Sequence, residues 1–331
     1  MICDTIRVFH KEDSIMKKVK VIACVLSAAM LAGVFAGCSK TTKISTEKFA
    51  KACEKLKLEE IDFYEKGRSL DEDDYEDGVY AIMDEDMIED KPEMIEAYLE
   101  SVKLDDIIDS DDVKSMGMAI KMKGFDGIGD LKDPEDLTDY EADGAFAIQI
   151  DLKENYVGDV MDFVDDMLDT YYINTKDLSG KEYYVSKNDG FVRLHVDIAK
   201  LAKIIQENDE IMDLVDEYYD EDDFKDICKN LSGDVAITVE INGSNIFILA
   251  GISLNSKANT LGSFAGAFGA NNPAKLPMNT KLIEGLIDDL IEDYSDLLTS
   301  GSGYDIDDYD FDDYDFDDYD IDDYDFDDED I

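Results

Sequence analysis

The chain has 331 residues and sets 83 acidic side chains against 31 basic ones, for a formal charge of −52. Such a surface repels nucleic acid, whose binding is dominated by phosphate neutralisation, and it repels anionic lipid headgroups too, so charge alone brings it to neither. With 44% hydrophobic and 10% aromatic residues the chain can still bury a core, which excludes disorder throughout.

Residues 1–15 mix Asp4, Glu12 and Asp13 with scattered bases, an odd prefix to the basic and apolar stretch after Ile15. Translation is expected to start at Met16, which leaves His10 and Cys3 outside the protein. Residues 16–38 read MKKVKVIACVLSAAMLAGVFAGC. Lys17, Lys18 and Lys20 form a basic head, Val21 to Phe35 an apolar run, and Ala36-Gly37-Cys38 a small-residue close, which is the layout of an export signal. A membrane span needs about 20 apolar residues. From Val21 to Gly37 there are 17, several of them Ala, Gly or Ser.

This stretch resembles the signal of bacterial lipoproteins, although Phe35 stands where that family usually carries Leu. The resemblance implies that residues 16–37 are removed, that Cys38 receives a diacylglyceryl group and becomes the mature N-terminus, and that the protein sits on the extracytoplasmic face of the cell membrane. In plan the chain is similar to lipoproteins of Gram-positive bacteria. The resemblance supplies an address and no activity.

Residues 38–44 then read as a lipidated tether. A helix follows, capped by Ser45 or Thr46, with Phe49, Ala52, Cys53 and Leu56 at helical spacing. The acid-rich run from Leu70 to Asp77 reads as a solvated loop, and Gly78 to Met83 as a strand. Asp90-Lys91-Pro92 marks a helix start, Pro92 sitting where its missing N–H costs nothing. Met116, Met118, Ile120 and Met122 alternate as in a strand ending at Gly124. From Phe125 to Asp143, Gly, Asp and Pro predict a loop and the candidate domain boundary, 125–143.

Ala145 to Leu152 is a strand, and Val157, Val160, Met161, Val164, Leu168 and Tyr171 are one face of a helix. Lys181 to Ser186 and Phe191 to Val196 flank an Asp189-Gly190 turn, and Val235 to Ile241 and Ile246 to Leu254 flank Asn242-Gly243, each a hairpin signal. Helices are expected over 199–219 and 222–231, and a last one over about 279–298. Helices mixed with hairpins predict an α+β body over 45–300, antiparallel hairpins packed with amphipathic helices. A helix, a polar loop and two strands occur in 45–124 and again in 157–196, an echo without convincing residue identity.

Residues 301–331 carry the strongest pattern after the signal. From Tyr304 the unit Tyr-Asp-(Ile/Phe)-Asp-Asp runs five times, with 17 acids and no base to the end. A five-residue period holds neither a helix face nor a strand face. The expectation is a disordered Asp/Tyr-rich tail beyond a Ser300–Gly303 hinge, a self-repelling brush with weak Ca²⁺ association open to it.

Catalytic chemistry finds little to work with. Once Met16 is the start, His195 is the one histidine, so any Ser-His-Asp or Cys-His apparatus would need it as base. Its place in the strand Phe191–Val196 favours a structural histidine. One histidine and scattered cysteines do not make a zinc ligand set. Asp73 to Asp84 places Gly78, Asp73, Asp77 and Asp84 as an EF-hand loop would, but Tyr75 takes a ligand position and Asp84 replaces the bidentate Glu, so a solvated acidic loop is favoured. Gly262, Gly266 and Gly269 are too short a run for a membrane contact and read as a loop or a tightly packed helix. Cys53 and Cys228 lie on apolar helix faces of an exported chain, where they can bridge or stay as buried thiols.

The reading is therefore a non-catalytic binding or interaction lipoprotein with no cofactor. Its partners are the membrane through the lipid, and cations or cationic cell-surface polymers or proteins, with no nucleic acid. Two alternatives stay open: a solute-binding lipoprotein of a transporter, or a hydrolase built on two of the many carboxylates.

Overall fold

A computed structural model describes residues 41–61, 72–90, 106–125, 136–216 and 220–301, with 92, 95, 96, 99 and 104 between them. The fold is α+β, built on one eight-stranded sheet. In chain order it comprises α1 (Thr46–Leu56), β1 (Glu59–Glu60), α2 (Glu72–Asp77), β2 (Val79–Met83), α3 (Glu85–Asp90), β3 (Val113–Lys123), α4 (Asp136–Asp139), β4 (Ala142–Leu152), α5 (Val157–Thr170), β5 (Tyr183–Val185), β6 (Asp189–Asp197), α6 (Ile198–Glu207), α7 (Asp209–Asp216), α8 (Glu221–Asn230), β7 (Gly233–Asn242), β8 (Asn245–Leu254), α9 (Thr260–Phe268) and α10 (Thr280–Gly301). The strand order is β1-β2-β3-β4-β8-β7-β6-β5, antiparallel throughout except for β1 beside β2.

Side chains alternate between the faces of a strand, so the register sorts the core into two layers. Ala145, Ala147, Phe247 and Leu249 share one face and pack with Phe49, Ala52 and Cys53 of α1 and Leu261, Phe264 and Phe268 of α9. We call this the α1 face. Phe268 is the hub, with ring centroids 4.8 Å from Phe49, 5.5 Å from Phe247 and 5.9 Å from Phe264. Room for Phe49 comes from Gly117, where an added Cβ would lie 2.8 Å from the ring. On the opposite face Ala142 and Leu254 pack with Ile198 of α6, while Met161 of α5 lies over Gly190. Burying a large side chain of this kind contributes about 1.5–3 kcal/mol.

The helices are closed by local bonds. Asp197 caps α6 by accepting from Lys200 N at 3.0 Å, and Asp220 caps α8 by accepting from Asp222 N at 2.9 Å and Asp223 N at 3.3 Å. At α1 the expected cap is absent. Ser45 makes no side-chain cap bond, and Thr46 Oγ1 instead meets Ser115 Oγ at 2.6 Å. The last turn of α1 ends on Lys57 in the left-handed region, φ 60°, its N–H bonded to the Cys53 and Glu54 carbonyls.

Several expectations change. The run expected as an acidic loop forms α2, and Gly78, at φ +90°, turns the chain directly from it into β2. The candidate boundary at 125–143 joins two strands that pair along their whole length, and the first compact unit runs Met1–Asp289 across it. The second unit, Leu290–Ile331, is described as far as Gly301, where it is helical; the expected disordered tail lies outside the described residues. The echo survives in part. Strand order mirrors about the β4·β8 pair, yet α1 covers the face opposite to α5, and β1 runs parallel to its neighbour whereas β5 runs antiparallel.

Candidate functional site

Polar side chains are buried along the α1 face where α9 gives way to the connector before α10. Arg193, Glu240, Thr238, Gln149 and Asn245 are each at most 1% exposed, and His195 is 4% exposed. All but His195 and Arg193 come from the central strands β4, β7 and β8; those two come from β6. Glu240 is the acceptor at the centre. Its Oε1 takes Arg193 Nε at 3.0 Å, Arg193 Nη2 at 2.8 Å and Asn271 Nδ2 at 2.8 Å, while Oε2 takes the Thr42 N–H at 3.0 Å. The guanidinium carbon of Arg193 also lies 3.7 Å from the centroid of the Phe191 ring, a cation–π contact.

The seam extends both ways along the sheet. His195 sets Nδ1 2.5 Å from the Leu276 carbonyl and Nε2 2.7 Å from Asp234 Oδ1. Both neighbours are acceptors, so a ring with a proton on each nitrogen satisfies both and a neutral ring satisfies one. Toward β4, Asn245 Oδ1 accepts from Ile44 N at 3.0 Å, and its Nδ2 donates to Ile44 O at 3.0 Å and Asp151 Oδ1 at 3.1 Å. Asn242 Nδ2 donates to the Thr41 carbonyl at 3.2 Å.

Residues 41–44 are therefore clamped. Thr41 is 6% and Ile44 0% exposed, and their backbone groups pair with side chains of β7 and β8 as an extra strand would pair with backbone. The tether expected over 38–44 is thus part of the body from Thr41 onward. Three buried atoms here, Thr41 Oγ1, Thr238 Oγ1 and Gln149 Nε2, lack a protein partner. Each such atom costs about 1–3 kcal/mol unless a buried water reaches it.

The sequence-selected residues scatter rather than converge. Cys38 lies outside the described residues. Cys53 and Cys228 are both free and buried, which removes the candidate bridge. The reason is topological: Cys53 is in the α1-face core, while Cys228 rides on α8, which packs on α6 over the other face. Burial pushes the Cys53 thiol up to about 12, and raises Cys228 as well. The EF-hand-like stretch divides into α2, Gly78 and β2, so Asp73 and Asp77 lie within the helix while Asp84 follows the strand. Among the described residues no group of three Asp, Glu, His or Cys is placed to hold a metal. The glycine run forms α9, and Gly269 ends it at φ 69°.

A depression of about 400 Å³, just ahead of β3, is lined by Glu96, Leu99 and residues 106–110. Two of its acids are bonded locally: Asp109 accepts from Asp111 N at 3.0 Å and Glu96 from Ser110 Oγ at 3.4 Å. Among the described residues no helix is long and apolar enough to cross a membrane. No protein-family signature, curated protein or solved structure matches the chain.

Sequence reasoning missed the clamp. Glu240 sits in VAITVEIN and Arg193 in FVRLHVD, single charges inside apolar strands, and that misplacement is the available signal: a charge on a two-sided strand has to find its opposite within the core.

Proposed function

We propose that the protein is a membrane-anchored extracytoplasmic lipoprotein acting as a non-catalytic binding module, with cationic peptides or polymers as the partner class. The observation that carries the reading is the burial of Thr41. Thr41 is already buried and bonded three residues after Cys38, so a lipid on Cys38 would hold a folded domain rather than the end of a loose chain. The formal charge of −52 supports the partner class. The polar side chains with the most chemistry, Arg193, Glu240 and His195, are committed to one another and to backbone, which supports a structural role for them.

A sheet that is antiparallel save for its first pair gives no support to the two-lobed, parallel-sheet plan of transporter-feeding lipoproteins. Metabolic labelling with a fatty-acid probe tests the anchor: wild type should be tagged and Cys38→Ala should not. Label retained by Cys38→Ala overturns the reading. For the partner class, a polylysine column should retain the anchored protein at low salt and release it as salt rises.

A further inference from the structure

The clamp fixes more than the chain. If Cys38 carries the lipid, only Ser39 and Lys40 separate it from Thr41, and three Cα–Cα steps of 3.8 Å span at most about 11 Å. That is short against the strands, since β7 and β8 each have ten residues and reach about 30 Å. The bilayer must therefore lie close to Thr41. Thr41 is held at one end of the sheet by Asn242, the last residue of β7.

Other elements converge on that end. Gly243 N donates to Asn188 O at 2.7 Å, which joins the tips of the β5–β6 and β7–β8 hairpins. Asn155 Nδ2 donates to Lys187 O at 3.4 Å and Leu152 N to Ser244 O at 2.7 Å, so the loop after β4 joins them. Beside the tips, Tyr184 and Val185 are each 43% exposed, the former an amphipathic ring suited to a water–lipid boundary. Lys43, Lys153 and Lys187 lie here as well, interspersed with Asp112, Asp151, Glu154 and Asp189, of which Asp151 faces Lys43 at 4.0 Å. Long lysine stems can lie along an apolar layer with their charge in water.

We infer that in the anchored protein the hairpin tips at residues 186–189 and 242–244 rest on the lipid headgroups, with the opposite end of the sheet turned outward. This rests on the lipoprotein reading and adds an orientation to it. The surface recognised is a bilayer of zwitterionic headgroups, because the chain's charge disfavours an anionic one.

The test uses the full lipidated protein in phosphatidylcholine vesicles carrying a headgroup nitroxide. Asn188→Cys at the tips and Lys257→Cys beyond the far end of β8 are labelled separately with a fluorophore; the native Cys53 and Cys228 are buried and do not compete. The fluorophore at 188 should be quenched several-fold more than the one at 257. A ten-residue Gly/Ser insertion between Lys40 and Thr41 adds a flexible reach of about 17 Å and should erase the difference. Equal quenching at the two positions, or stronger quenching at 257, overturns the orientation while leaving the anchor in place. Intact mass measured on the same samples separates the two ideas: a Cys38 without lipid overturns the lipoprotein reading, and the orientation with it.

Discussion

Replacing Glu240 by Gln asks what the buried seam contributes. The shape is kept and the charge removed. In the wild type three donors meet Oε1 and one meets Oε2. A Gln amide must place NH2 at one of those positions. It then opposes either the Thr42 N–H or the guanidinium and Asn271 together, and in both cases Arg193 loses the carboxylate that its Nε and Nη2 meet. Both side chains of the ion pair are 0% exposed, so water cannot take over. Breaking a pair of this kind from one side costs about 3–5 kcal/mol. For a body of this size each kcal/mol moves the melting temperature by about 2–4 °C, so Glu240→Gln should lose about 6–20 °C and lower the urea midpoint without changing the slope. The double variant Arg193→Met with Glu240→Leu removes both charges and should recover a large part of the loss, because replacing a buried pair with packed apolar groups is often neutral or stabilising. Hydrogen exchange at Thr42 should accelerate in Glu240→Gln, since its N–H loses an anionic acceptor. A cost below about 1 kcal/mol for the single variant would refute the reasoning.

In the lipidated form proposed above, alkylation under denaturing, non-reducing conditions should add two labels, one each at Cys53 and Cys228; an unlabelled pair would mean a bridge. Because burial raises the Cys53 thiol to about 12, its protonated form is favoured in the folded state, so its contribution is complete below the ordinary thiol range and lost as pH rises from about 9 toward 12, which alkaline melting curves should show. Gly117→Val drives a side chain into the Phe49 ring and should cost about 1–3 kcal/mol, read by urea titration; a neutral result would mean that α1 can shift freely. Asp220→Ala removes the cap of α8 and should cost about 1 kcal/mol, with Asp220→Asn close to neutral.

The central hairpins are legible because their sequences combine three signals. The Asn242-Gly243 pair marks the turn, which falls on Gly243 and Ser244, alternation supplies the faces, and β-branched residues supply the propensity; β7 and β8 extend the expected strands by only one or two residues at their ends. Amphipathic α5 and α8 are legible for the same reason at the helical period. By contrast α2 reads as a loop because every apolar cue is missing from EDDYED, and its helix is fixed by the turn at Gly78 and by neighbours on β3 such as Lys123, which pairs with Glu76 at 3.3 Å. No local pattern announces that Thr41 to Ile44 are buried, since their partners Glu240, Asn242 and Asn245 are about 200 residues away in sequence. The same distance hides the separation of Cys53 from Cys228: helix spacing shows that each thiol faces a core, and only topology shows that the cores are different.

The edges of the sheet decide how such a body behaves in company. An exposed strand is a template for another chain, and tethering confines many copies to one plane, where a common orientation would bring like edges into line at high effective concentration. Here one edge is β1, two residues long and made only of Glu59 and Glu60. Among the described residues an incoming copy would find two ladder positions there, and would set carboxylates against carboxylates to use them. On the proposed lipid anchor, crowding would then concentrate these domains without joining them into a continuous sheet.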